Sequence, residues 1–166
     1  MLPIKVLFLC TANSCRSQMA EGLLRHRSRG TLEVASAGIH PKTIHPDAIR
    51  CMAEIGIDIS AQQAKSLDLF LGEHLDYVIT VCDRARDACP VFPGAAESLH
   101  WSIPDPALAQ GTQEERMRIF RQVREELRDR IEELLRRILD RLLERIARSN
   151  GLGDRVPARM SQPCGL

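Results

Sequence analysis

Nearly every position from Val6 to Leu9 is apolar, the pattern of a strand buried on both faces rather than one with a wet side. With KVLFLC at 5–10, the β-rich runs EVASAG at 33–38, DYVITV at 76–81 and SLHWSI at 98–103 predict four strands. Helical patterns separate them. SQMAEGLLRHRS opens on Ser17, a good N-cap; PDAIRCMAEIG closes on Gly56; SLDLFLGEHL is a looser third. Strands alternating with helices imply right-handed crossovers, so the expected fold is α/β, a four-stranded parallel sheet flanked by helices on both faces.

The last third has a different pattern. From Thr112 to Asn150 there is no Pro or Gly, Thr112 and Glu115 form a capping box, and Gly151 supplies a stop, which together predict one long helix. Phe120, Val123, Leu127, Ile131, Leu134, Ile138, Leu142 and Ile146 mark one apolar stripe, widened by Leu135, Leu139 and Leu143. Pairs such as Glu126 with Arg130 and Glu144 with Arg148 decorate the wet side and are worth a few tenths of a kcal/mol each. A helix of that length runs ~55 Å, well past a small sheet, so its distal stripe needs a second partner. A second copy of the chain is the expected one. The expected organisation is a catalytic domain over 1–133, a distal helical extension over 134–150 and a disordered tail over 151–166.

Composition narrows the function class. A 166-residue chain with 44% hydrophobic content is about one domain's worth, with core enough to dispense with disulfide staples. Net charge is +1, and only Trp101 and Tyr77 join four Phe, which argues against nucleic acid as a partner. No run approaches the ~20 apolar residues of a membrane span, and the N-terminal apolar stretch is too short for a secretory signal. A cytoplasmic address is expected. The six cysteines (Cys10, Cys15, Cys51, Cys82, Cys89, Cys164) then read as reduced thiols with chemistry to do. They form no Cys-X2-Cys pair and the five His are scattered, so neither a metal site nor a cofactor is expected.

The chemistry concentrates where the first strand ends. Cys10-Thr-Ala-Asn-Ser-Cys-Arg16-Ser17 puts a seven-residue loop between a buried strand and a helix N-terminus. Backbone amides from Thr11, Ala12, Asn13, Ser14, Cys15, Arg16 and Ser17 can converge there, the helix dipole adds positive potential, and Arg16 offers a bidentate fork. That is a cradle for a tetrahedral oxyanion. The same surroundings, with a Ser17 hydroxyl bond, would favour the Cys10 thiolate over its usual pKa of ~8.5, so Cys10 is expected to be ionised at neutral pH.

CTANSCRS after an N-terminal strand resembles the phosphate-binding loop of the low-molecular-weight tyrosine phosphatase fold, in its thioredoxin-coupled arsenate reductase branch. Three further features of this sequence fit that likeness. VCDRARDACP sets Cys82 after the third strand and Cys89 seven residues on, similar to the reductases' resolving thiols. IPDPA places Asp105 where either branch keeps its general acid, followed by Ala107 rather than the aromatic that phosphatases favour. VASAG and Asn13 match the pattern around the loop, with Asn13 expected in the left-handed backbone region.

The resemblance implies a mechanism. Arsenate, with phosphate or sulfate as mimics, occupies the loop; Cys10 attacks arsenic while Asp105, kept protonated by a poorly solvated site, protonates the leaving oxygen. Cys82 attacks Cys10, Cys89 attacks Cys82, and thioredoxin reduces the last disulfide; a low-molecular-weight phosphatase is the alternative. Seven residues of α-helix separate Cα atoms by ~10 Å while a disulfide tolerates ~7 Å, so the 82–89 segment has to unwind. Cys15 is expected to be structural, Cys51 a core residue, and Cys164 has no assigned role. Some relatives bind potassium through Asn13, Glu21, Ser36 and an acidic or amide group where this chain has Lys65, whose ammonium is expected to replace the ion.

Overall fold

The computed structural model describes residues 3–88 and 92–149. They fall into two units, one up to Glu132 and one from Glu133. In the first unit, four parallel strands run in the order β2-β1-β3-β4: β1 Lys5–Cys10, β2 Glu33–Gly38, β3 Leu75–Thr80 and β4 Ala95–His100. β1 is central, and Val6 through Cys10 are all buried, as a run with no polar face requires. The helices are α1 Arg16–Arg27, α2 Pro46–Ala53, the short α3 Asp83–Ala88 and the long α4 Gln113–Ser149. This is the expected α/β class with the expected sheet.

Three elements differ from their sequence patterns. β4 occupies 95–100 rather than 98–103, because Trp101 and Ile103 are buried as loop residues past the sheet, Trp101 with its ring 5.7 Å from that of Phe8. Their hydrophobicity mimics a strand face. SLDLFLGEHL is no α-helix but a single 3-10 turn, Leu67–Phe70, with no buried residue; Gly72 at φ 88° follows it. α1 begins at Arg16, one residue before the expected cap, with Cys15 as N-cap and no side-chain capping bond. Ser17 has been diverted to another task.

Within the first unit, α4 starts with the predicted capping box: Thr112 Oγ1 accepts from Glu115 N at 3.2 Å and Glu115 Oε2 from Thr112 N at 2.7 Å. Met117, Phe120, Val123, Leu127 and Ile131 are buried, each worth roughly 1.5–3 kcal/mol of apolar burial. Arg124 reaches in to donate to the Cys51 carbonyl at 2.7 Å and to pair with Glu54, and Cys51 is fully buried, as expected of a core thiol. The second unit continues α4 from Glu133. Leu134 and Ile138 are buried, contrary to the expectation of a wholly bare distal stripe, and large exposed positions begin at Leu139, followed by Leu143 and Ile146. No described helix is long and apolar enough to cross a membrane. Cys89, Cys164 and the tail from 151 lie outside the described residues.

Candidate active site

β1 delivers Cys10 to the C-terminal edge of the sheet, and the loop to α1 wraps around its sulfur. Asn13 adopts φ 48°, the expected left-handed turn, which brings its N–H to 3.0 Å from Cys10 Sγ. The carbonyls of Thr11, Ala12 and Ser14 accept from His40, Lys42 and His45 N–H groups at 2.8, 2.8 and 2.9 Å. In a trans peptide each N–H points opposite the preceding carbonyl, so carbonyls tied outward leave the next amides free for the concave side. This bracing segment at 40–45 had no signal in residue type, because it works through backbone. Gly38 is a second silent participant: a Cβ there would lie 2.9 Å from Asn13 Cβ, Asn13 N and Thr11 O.

Ser17 Oγ lies 2.8 Å from Cys10 Sγ. Asn13 Oδ1 accepts from the Lys65 N–H at 2.8 Å, so Nδ2 faces the other way and donates to Ser17 Oγ at 2.8 Å and Ser36 Oγ at 2.9 Å. Ser17 Oγ keeps a second lone pair, so the contact suits either donor: the hydroxyl toward a thiolate, or the thiol toward the hydroxyl. Burial nevertheless dominates. Cys10 is 3% exposed, and desolvation pushes its thiol above the ordinary cysteine value; the Ser17 hydroxyl, Ser17 N–H and Asn13 N–H pull down, and Cys82 adds to the rise.

This runs against the expectation of a thiolate at neutral pH. Arg16 does not help, because its guanidinium donates to the Ile103 carbonyl at 2.8 Å and pairs with Asp105 Oδ2 at 3.1 Å. Alkylation of Cys10 by iodoacetamide, read by peptide mass spectrometry, is expected to keep rising with pH past ~8.5. A plateau already reached at pH 7 would show that the donors win.

Arg16 and Asp105 line a cleft of about 400 Å³ with Thr11, Cys82, Ser102 and Pro104. Of the expected site residues, Thr11, Arg16, Cys82 and Asp105 line this cleft, Cys10 lies next to Thr11 with the loop wrapped around its sulfur, and Cys89 lies outside the described residues. Asp105 is 33% exposed on its side chain and salt-bridged to Arg16, so it is not in the poorly solvated setting expected of it. Its other oxygen accepts from Ala107 N at 3.1 Å. Cys82 is buried with its sulfur 3.4 Å from Thr11 Oγ1 and 3.4 Å from the Ala85 N–H inside α3. Cys15 is buried and pushed up to about 12 by desolvation, consistent with a structural thiol.

Residues 5–149 match the family model of low molecular weight phosphotyrosine protein phosphatase. The chain belongs to that family. It is 47% identical over 122 residues to an arsenate reductase of Halalkalibacterium halodurans, a match covering 74% of this chain and 88% of the relative. It superposes on an arsenate reductase in its phosphate-binding state with TM-score 0.71 and 35% identity, over 81% of this chain and 98% of the other. A thioredoxin-dependent arsenate reductase of Corynebacterium glutamicum superposes with TM-score 0.64 and 35% identity, over 82% of this chain and 63% of that one. Within the phosphatase family, the chain lies in the arsenate reductase branch.

The residues here do not suit the potassium site that the resemblance implied for some relatives. Lys65 Nζ donates to the Gln63 carbonyl at 2.8 Å and sits 3.7 Å from Glu21 Oε2, a carboxylate 3% exposed that also pairs with Arg25 and accepts from Ser36 Oγ. Asn13 Oδ1 is occupied by Lys65 N–H and Gln18 Nε2. A cation entering here would meet two resident positive charges and spent oxygens. Potassium and sodium chloride at equal ionic strength are therefore expected to give the same melting temperature and the same KM for arsenate. Stabilisation by potassium alone would show that the lysine is displaced.

Proposed function

We propose that this protein reduces arsenate to arsenite by a three-thiol relay regenerated by thioredoxin. The observation that carries the reading is a donor-wrapped Cys10 next to Thr11, whose cleft also holds Cys82, Arg16 and Asp105. Arsenate enters the loop between β1 and α1 and competes with Asp105 for Arg16, which frees the aspartate to serve the leaving oxygen. The Cys10 thiol gives up its proton as its sulfur bonds arsenic and an As–O bond breaks; Asp105, released by Arg16, relays that proton to the departing oxygen, which leaves as water. Cys82 then attacks the Cys10 sulfur: an S–S bond forms, the S–As bond breaks, and its electron pair stays on arsenic, which leaves as arsenite. Cys89 attacks Cys82, restoring the Cys10 thiol, and thioredoxin reduces the Cys82–Cys89 disulfide.

Two electrons pass from the thiols to arsenic, and no cofactor is required. The relatives named as arsenate reductases support the substrate, and the thioredoxin-dependent one supports the donor. A cytoplasmic setting suits a cycle that ends in reduced thiols. The test is arsenate-dependent NADPH consumption with thioredoxin and its reductase, set against glutathione with glutaredoxin. Turnover of an aryl phosphate with no response to arsenate would instead make the protein a phosphatase.

The distal part of α4 fits self-association. Leu139, Leu143 and Ile146 lie at i, i+4, i+7 and are exposed, an apolar strip suited to a second copy of the same helix. Sedimentation equilibrium is expected to show dimers for the full chain and monomers for a truncation after Arg136, with activity retained in both. Monomers throughout at micromolar concentration would sink this pairing.

A further inference from the structure

The α3 segment has few apolar attachments. Of its six residues only Ala85 is buried, with Cys82 just before it as the neighbouring anchor. Its other hold on the sheet is polar and falls on its first residue. Asp83 Oδ1 lies 2.8 Å from His100 Nε2, and Asp83 Oδ2 accepts from Ser102 Oγ at 3.2 Å. His100 ends β4 directly opposite Thr80, the last residue of β3, and its Nδ1 is 2.8 Å from Thr80 Oγ1. A carboxylate only accepts, so Nε2 carries the proton; in the neutral ring Nδ1 accepts the Thr80 hydroxyl. The imidazole, with a quarter of its side chain exposed, thus spans from the end of the sheet to the start of the helix. Arg86 adds a looser contact to Asp83 at 3.8 Å.

We propose that His100 is a positioning residue that latches the first turn of α3 through Asp83 and holds the Cys82 segment helical until the relay draws it away. This rests on the relay reading above. A helix carried over all seven steps from Cys82 to Cys89 would hold the two Cα atoms ~10 Å apart, beyond the ~7 Å a disulfide tolerates, so the helix of α3 and that disulfide oppose each other. Any bond made only in the helical state therefore stabilises the dithiol and makes the disulfide easier to reduce. The latch favours the half of the cycle in which thioredoxin resets the enzyme. Thr80 and His100 are fixed at the sheet edge while Asp83 belongs to the segment, so the latch ties α3 to the sheet.

The test equilibrates the full chain, carrying Cys10→Ser so that the outer pair is isolated, with mixtures of oxidised and reduced dithiothreitol. The two thiols of Cys82 and Cys89 give two electrons and two protons to oxidised dithiothreitol, and peptide mass spectrometry counts the protein disulfide formed. His100→Ala is expected to shift this equilibrium toward the disulfide by about tenfold, equivalent to about 30 mV for a two-electron couple. Asp83→Ala, at an exposed position, should do the same, and the double variant no more than either alone. His100→Gln, which can keep an N–H at the Asp83 end, should stay within about twofold of the parent. Single variants that leave the equilibrium unchanged, additive effects in the double variant, or a His100→Gln chain as shifted as His100→Ala would each overturn the latch while the relay stands. A parent in which no Cys82–Cys89 disulfide forms would overturn both.

Discussion

Replacing Cys10 with serine is expected to reduce arsenate turnover by at least ~10³-fold, to the background of the thioredoxin assay, and any aryl phosphatase activity with it. An alcohol is a far weaker acid than a thiol, and its oxygen cannot pass electrons to arsenic through a disulfide. The fold should survive. Ser17 Oγ and Asn13 N lie 2.8 and 3.0 Å from the sulfur and can bond an oxygen there as readily. Inorganic phosphate should therefore still raise the melting temperature of the variant, which separates loss of chemistry from loss of the cradle. Activity within tenfold of the parent would remove Cys10 from its role.

Cys89→Ser is expected to stop the enzyme after a single arsenite per chain, lowering steady-state turnover by at least ~10²-fold while the first turnover stays fast. Cys10 and Cys82 are 3% and 4% exposed, so a disulfide between them offers thioredoxin no surface to attack. The third thiol is what carries the oxidation to a reachable place. Intact mass after one equivalent of arsenate should show the loss of two hydrogens, with Cys10 and Cys82 joined in the digest. Cys82→Ser, by contrast, should release no arsenite even once. Repeated thioredoxin-driven turnover by Cys89→Ser would mean that the buried bond is reachable, and the outward step would fall.

Local signals carried much of this architecture. The unbroken apolar run at Val6–Leu9 read as a doubly covered strand and is one, and Cys10 six positions before Arg16 pointed to a loop wrapped between that strand and a helix. The capping box of α4 formed as its residues indicated. What was illegible depended on partners distant in sequence. Ser17 has the chemistry of an N-cap, yet Asn13, fixed in turn by the Lys65 backbone, bonds it beside the sulfur. Arg16 was assigned to the oxyanion from its type, yet it is held by Asp105 and the Ile103 carbonyl, almost ninety residues away. The ionisation of Cys10 reversed for a related reason: neighbouring donors can be counted from sequence, but the depth of burial opposing them cannot.

Gly38 bounds how such a chain can drift. It ends β2 beside Cys10 in the sheet register, and the space where a side chain would start is already taken by Asn13 and a backbone oxygen of Thr11. Two of those three neighbours are main-chain atoms, which no rotamer change can move aside. For a lineage accumulating point mutations, even a methyl group at this position would reach the nucleophile's loop from behind, although residue 38 touches neither thiol nor substrate. Codon 38 should therefore tolerate no replacement in a functional screen that lets exposed neighbours such as His40 and Lys42 vary, since those two hold the loop with backbone that any residue but proline provides.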